Sequence, residues 1–357
     1  MKNSRAGAPR RRPALVKFIQ SPLSVRRLQR LTAFACTLAL TALLLSVPGL
    51  ATGDEAAGDA VPQTLQELTD AFLQQYNLTE ERFSFGYYNT LTGEEYYAGG
   101  DRFFVGGSIY KLPLNMLYVE MLADGRADPD RRISGYTYPE IQRQSIQYSN
   151  NELSQALRRS FSPDKSDYRM AILKFSGLRP DELPDNYAHE NSYSPRFMIG
   201  TLQYLYNNAD RFSDIIGYMK LAHPGRYLEN WDSEYEIAHK YGYFEGQLND
   251  VAIIYTPEPF FLVVFTRGVY EKTLGEFCRL MTDYTLASDA QYQAQQAKAE
   301  AAAAESAQSV VSGTETGDAP ELPLAAVCVA GGAAVLLGLA VAVFRHVRRR
   351  RPQHWSH

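Results

Sequence analysis

The segment Ser108–Leu122 is apolar on almost every side, because Ile109, Leu112, Leu114, Met116, Leu117, Val119 and Met121 leave no polar face at helical spacing. A helix of that kind must be wrapped by other elements, so the flanking chain has to supply a shell. Upstream, Thr64–Tyr76 carries Leu65, Leu68, Phe72 and Leu73 at a helical period. Phe83–Leu91 and Glu94–Tyr97 are aromatic-rich runs on either side of Thr92-Gly93, which predicts a hairpin. Downstream, short helices are predicted over Asn151–Arg159, Asp167–Ser176 and Pro195–Asn208, the last with proline in its first turn. Three strand-like runs follow, Tyr235–Tyr243, Val251–Tyr255 and Phe260–Thr266, separated by turn residues at Gly246, Asn249 and Asp250 and at Pro257 and Pro259. A helix over Glu271–Leu286 closes the region. Strands near both ends with helices between them predict an α+β domain over residues 63–286, its antiparallel sheet built from the two chain ends and packed on a helical block.

The ends of the chain read differently. Residues 1–30 carry nine Lys and Arg and no acid, and Leu31–Leu45 is apolar. Small residues Gly49 and Ala51 then precede polar Thr52-Gly53-Asp54. This order predicts a signal peptide over residues 1–51, with an uncleaved signal anchor as the alternative. At the other end, Leu322–Phe344 contains no charge and is long enough to span a bilayer. Arg345 and Arg348–Arg351 follow, and the excess of arginine predicts that residues 345–357 form a cytoplasmic tail and that the domain lies outside. Residues 287–321, rich in Ala, Gln, Glu and Ser, read as a stalk without a core-forming stripe. Thr316-Gly317-Asp318 ahead of the apolar span resembles a Gram-positive sortase sorting signal, which implies processing near Thr316, although Gly313-Thr314 stands where that motif begins Leu-Pro. The expected setting is therefore a bacterial, Gram-positive cell membrane, with the domain extracytoplasmic.

All 40 acidic residues fall between positions 52 and 344, so the body of the chain is strongly acidic although the whole carries only −4. Such a surface argues against a nucleic-acid partner. Of the three cysteines, Cys36 and Cys328 lie in the apolar segments and only Cys278 lies in the domain, so the domain has no internal disulfide.

Three short segments could carry chemistry. In Ser108-Ile-Tyr-Lys111 the spacing puts serine and lysine on one helical face. A buried lysine loses preference for its charged form, and a neutral amine can take a serine's proton. Gly106-Gly107 allows a tight turn just before Ser108. The plain alternative is a capping serine with a snorkelling lysine. A second match, Ser162-Pro-Asp-Lys165, sits in polar sequence and reads as a surface loop. Ser149-Asn150-Asn151 reads either as a helix N-cap or as a polar site. His239-Lys240-Tyr241-Gly242 lies on a predicted strand, where glycine lets a ligand approach the backbone.

In that order, Ser-x-x-Lys, Ser-x-Asn and Lys-x-Gly resemble the penicillin-recognising serine hydrolases, most closely the class A β-lactamases. The run from Lys240 through Gly246, Asn249-Asp250 and Val251–Tyr255 to Thr266 is similar to that family's closing strands, and Ser192-Tyr-Ser-Pro195 to its Thr-Thr-Pro helix start. The resemblance covers residues 63–286 and implies a β-lactamase/transpeptidase-like fold without metal or organic cofactor. It implies that Ser108 is the acyl nucleophile, that Lys111 assists its deprotonation and that Ser149 relays a proton to the leaving nitrogen. Asn151 would bind a substrate amide, Lys240 (beside Gly242) a substrate carboxylate, and the N–H groups of Ser108 and Tyr243 would form the oxyanion hole. The implied partner is a β-lactam or a small cell-wall peptide-like substrate. A D-alanyl peptidase and a non-catalytic surface module are the alternatives.

The sequence also departs from that family. Asn150 replaces an Asp, Tyr241 replaces a Thr or Ser, and Tyr148-Ser149-Asn150 also fits the Tyr-x-Asn register of class C and carboxypeptidase relatives. The stretch Arg179–Glu190 is short and lacks the Glu-x-x-Leu-Asn pattern that supplies a water-activating Glu. Glu182, Glu190 and His189 are expected to be solvated loop residues. Without that base, deacylation would slow by about 10²–10⁴.

Overall fold

The structure, a computed structural model, describes residues 64–312. Helix α1 (Leu65–Gln75) starts at a capping box in which Thr64 Oγ1 accepts from Glu67 N–H (3.2 Å) and Glu67 Oε2 accepts from Thr64 N–H (2.8 Å). Strands β1 (Phe83–Asn89) and β2 (Glu95–Ala98) form the expected hairpin, with Gly93 at φ +75° in its turn. A two-residue strand β3 (Phe104–Val105) then leads into a single 3₁₀ turn, Gly107–Tyr110, which runs on into α2 (Lys111–Ala123). Helices α3 (Tyr138–Ile146), α4 (Asn151–Phe161), α5 (Lys165–Ser176), α6 (Pro195–Asn207) and α7 (Ser213–Met219) complete the block around α2. Pro195 occupies the first position of α6, where its missing N–H costs nothing, and Ser194 Oγ accepts from Phe197 N–H. Short strand β4 (Ser192–Tyr193) pairs with β3.

The last three strands are β5 (Ile237–Phe244), β6 (Gln247–Ile254) and β7 (Phe260–Thr266). The main sheet has the order β2-β1-β7-β6-β5 and is antiparallel throughout, so the two chain ends do share one sheet. Every residue of β7 is buried because both faces of this central strand are covered. On one face Val263 and Phe265 join the core of the helical block with Ile109, Leu112 and Phe197. On the other, Leu262 and Val264 pack with Phe83, Phe85, Phe72 and Phe277 beneath the terminal helices.

Several details differ from the sequence reading. Helices α3 and α7 were not expected; α3 is polar on average, but its Ile141 and Ile146 are completely buried against α2 and α7. Ser162 is buried, its hydroxyl donating to Asp167, and Lys165 opens α5 rather than lying in a loop. The closing helix, α8 (Glu271–Ser312), does not stop at Leu286. Asp289, inside the expected stalk, is buried and accepts from Asn89 Nδ2 at 2.8 Å. Among the described residues no helix is long and apolar enough to cross a membrane. The expected signal segment, the span 322–344, the basic tail and Thr316 all lie outside the described residues.

Candidate active site

The turn that presents Ser108 is held by close backbone packing. Gly107 has φ +57°, and a Cβ there would lie 2.7 Å from Tyr243 O and 2.9 Å from Tyr243 N. A Cβ on Gly242 would lie 2.2 Å from Gly106 O and 3.0 Å from Ser108 N. Two glycines therefore let the edge strand β5 rest directly against the nucleophile turn. This contact sets the Tyr243 nitrogen against Gly107 and the Ser108 nitrogen against Gly242, the two N–H groups to which the resemblance assigns an oxyanion hole. The turn is braced from its other sides by Asn191, whose Nδ2 donates to Gly107 O (2.7 Å) and whose carbonyl accepts from Gly106 N–H (2.7 Å). Asn249 Nδ2 likewise donates to Val105 O (2.9 Å).

Lys111 is fully buried. Its Nζ donates to Ser149 O (2.5 Å), Ser149 Oγ (3.1 Å) and Asn151 Oδ1 (2.7 Å). No carboxylate pairs with it among the described residues. Burial alone therefore lowers its pKa to about 7. Ser149 has φ +53°, a strained value for a residue with a side chain, and it sits between the end of α3 and the start of α4. The N-cap of α4 is Asn150, whose Oδ1 accepts from Leu153 N–H, so the capping role falls on Asn150 and leaves Ser149 and Asn151 free to face the lysine. Behind Lys111, Asn115 Nδ2 donates to Lys111 O and to Ser145 Oγ, and Ser154 Oγ donates to Ser145 Oγ and Asn150 O. These residues tie α2, α3 and α4 together.

Lys240 is also fully buried. Its Nζ donates to Ser149 Oγ (3.2 Å) and Tyr241 O (2.8 Å) and lies 3.9 Å from the centroid of the Tyr241 ring. Desolvation, then the positive charge of Lys111, push its pKa well below that of an ordinary lysine. The Tyr241 ring stacks on Tyr227, with centroids 4.9 Å apart. It thus covers the ammonium to which the resemblance assigns a substrate carboxylate. Tyr243 is 60% exposed beside the site. One residue before Lys240, His239 is buried; its Nδ1 contacts Asp250 Oδ2 (2.7 Å) and its Nε2 contacts the Ala222 carbonyl.

The structure thus gathers Ser108, Lys111, Ser149, Asn151, Lys240, Gly242 and Tyr243 at one junction of α2, α4 and β5. Glu182 and Glu190 are not part of it. Glu182 caps Arg179, and Glu190 is exposed with Ser192 Oγ 3.5 Å away. His189 bonds Ser166 Oγ at 3.0 Å. The bracing residues Asn115, Ser145 and Asn191 carried no signal in the sequence, because a single polar side chain reveals nothing about partners such as the Gly107 carbonyl, 84 positions from Asn191.

The family model described as the β-lactamase enzyme family matches residues 63–285. The chain belongs to that family. It is a β-lactamase-like serine hydrolase, and its fold agrees with solved members. The structure of the last common ancestor of Gram-negative bacteria class A β-lactamase superposes with a TM-score of 0.52 at 18% identity, covering 61% of this chain and 98% of that one. The TLA-3 extended-spectrum β-lactamase gives a TM-score of 0.51 at 15% identity, covering 62% and 99%. At such identities the likeness concerns the fold. A comparison with curated proteins gives no match.

Proposed function

We propose that this serine hydrolase is membrane-anchored and extracytoplasmic, and that Ser108 forms an acyl-enzyme with a β-lactam or a related amide or ester. The observation that carries this reading is the buried Lys111 amine, which has a pKa of about 7, no carboxylate partner among the described residues, and a place three residues from Ser108 on the same helical path. In its neutral form Lys111 Nζ takes the Ser108 hydroxyl proton while Oγ attacks the substrate carbonyl. The N–H groups of Ser108 and Tyr243 hold the oxyanion that develops on that carbonyl. Ser149, bonded to Lys111 Nζ, passes the proton to the departing nitrogen, and Asn151 orients the substrate amide. Anchoring rests on the apolar span Leu322–Phe344 and the arginines after it.

One observation favours a slow second half-reaction. Glu182 caps Arg179 and Glu190 is exposed beside Ser192, so neither glutamate of the loop before β4 hydrogen-bonds to Ser108, Lys111 or Ser149 as a water-activating base would. A long-lived acyl-enzyme follows, as in a D-alanyl peptidase or an acyl trap. The decisive experiment is intact-mass analysis of the full-length protein, purified in detergent and mixed with benzylpenicillin, beside Ser108→Ala. A penicilloyl adduct on the wild type alone supports the reading, and its persistence for minutes supports slow deacylation. Rapid turnover lost in Ser108→Ala would identify an efficient lactamase. Neither adduct nor turnover would remove the lactam reading and leave a peptide or ester substrate, or a binding module.

A further inference from the structure

A cleft of about 280 Å³ opens behind the nucleophile turn, between α4, α5 and the loop before β4. Its walls include Tyr110, Arg158, Lys165, Arg169, Glu190 and Asn191. Three of these are permanent or near-permanent cations and one is a carboxylate. Neither Arg158, Lys165 nor Arg169 takes part in an ion pair among the described residues. Asp164, just before α5, caps that helix by accepting from Ser166 N–H.

Arg169 is the deepest of the cations, 97% buried. Its guanidinium lies between the rings of Tyr187 (4.1 Å) and Tyr193 (4.3 Å). Nε donates to Tyr187 O at 3.1 Å and Nη2 to Ser192 O. The Arg169 side chain also interacts with the Tyr193 hydroxyl, whereas the buried Nη1 of Arg158 has no hydrogen-bond partner. In the same lining, Asn191 Oδ1 is a buried acceptor without a donor, while its amide nitrogen donates to Gly107 O. One unsatisfied guanidinium donor, on Arg158, and one unsatisfied acceptor, on Asn191, belong to residues that line a single cleft, and each is costly unless something fills it.

We propose that this cleft is a binding site for a small oxyanion that also carries a hydroxyl, such as hydrogen phosphate or a 2-hydroxycarboxylate. The anionic oxygens accept from Arg158 Nη1 with the Arg169 and Lys165 charges nearby, and the ligand hydroxyl donates to Asn191 Oδ1. The site lies behind the turn that carries Ser108 and shares Asn191 with its bracing, and the inference stands whether or not that serine is acylated.

The test is isothermal titration calorimetry of the full-length protein in detergent at pH 7 and constant ionic strength. The probes are inorganic phosphate and glycolate, with sulfate and acetate as their hydroxyl-free counterparts. Saturable binding of phosphate or glycolate is expected, and which of the two binds more tightly separates a phosphate source from a carboxylate source. Arg158→Gln, which keeps most of the aliphatic stem and spares the Arg169 scaffold, should weaken binding about 10-fold or more. Arg279→Ala, on an exposed face of α8, should bind as the wild type. No saturable binding of either probe, unchanged affinity in Arg158→Gln, or sulfate binding as tightly as phosphate would each overturn the proposal.

Discussion

Lys111 and Lys240 share one acceptor: Ser149 Oγ lies 3.1 Å from the first ammonium nitrogen and 3.2 Å from the second. Each lysine is fully buried and neither has a carboxylate ion-pair partner among the described residues, so burial disfavours both charges and the Lys111 charge further disfavours that of Lys240. The arrangement is tolerable when at least one of them is a neutral amine, and that is the state in which Lys111 can act as a base.

The pH dependence of acylation follows. The amine must be unprotonated to accept the serine proton, so the rate of penicilloyl adduct formation should fall as pH drops below about 7 and level off above it. Rapid-quench mass analysis between pH 5.5 and 9 reads this directly. A rate that stays flat from pH 5.5 to 7 would remove Lys111 from the role, and Lys111→Met should lose the adduct.

The glycine contact predicts a second outcome. Gly242→Ala places a methyl group 2.2 Å from Gly106 O, which pushes β5 away from the nucleophile turn and opens the oxyanion hole. Loss of one such donor costs about 10²–10³ in rate. Stopped-flow acylation kinetics should show that loss while circular dichroism retains the α+β signature. Undiminished acylation would mean that the Tyr243 N–H is not used.

Tyr241 predicts a gain rather than a loss. Its ring seals Lys240, and Tyr241→Thr would uncover that ammonium for a substrate carboxylate. Acylation by benzylpenicillin should accelerate by about 10-fold, the worth of one charge-assisted hydrogen bond. An ester lacking a carboxylate should gain nothing. Equal effects on both substrates would show that the ring does not guard the lysine.

His239 and Asp250 predict the stability profile. Burial disfavours the imidazolium, but the Asp250 carboxylate and the Ala222 carbonyl, one at each ring nitrogen, outweigh it and raise the pKa above its ordinary 6.5. A group whose folded pKa is raised stabilises fully below 6.5 and loses that contribution as pH climbs through the folded value. Thermal melts should therefore show the wild type losing stability above pH 6.5 relative to His239→Gln. Asp250→Asn leaves a buried imidazolium unpaired and should cost about 3–5 kcal/mol. A wild-type Tm that does not change relative to the variant between pH 6 and 9 would contradict the charged pair.

Much of this was legible in the chain. The all-apolar helix behind Gly106-Gly107, the strands Phe83–Asn89 and Phe260–Thr266 and the three short motifs are local patterns, and local patterns survive in a single sequence. What escaped is made by tertiary contact. Helix α3 is short and mostly polar, and only its contact with α2 and α7 buries Ile141 and Ile146. The role of Asn191 depends on a carbonyl 84 positions away. The sequence showed Tyr241 replacing a smaller residue, but that its ring folds over Lys240 depends on stacking with Tyr227, whose φ of +55° no residue pattern announces.

The closing helix has a mechanical consequence. Up to Asp289 it is part of the domain, and from 290 to 306 nearly every side chain faces solvent. At about 1.5 Å per residue, positions 290–306 carry the helix about 25 Å beyond the domain. Its root is clamped by Asn89 at the end of β1, so the rod's direction is locked to the sheet rather than hinged. Whatever is attached to its far end therefore meets the active site at a set distance and orientation, as a tool is held by a rigid handle and not by a cord.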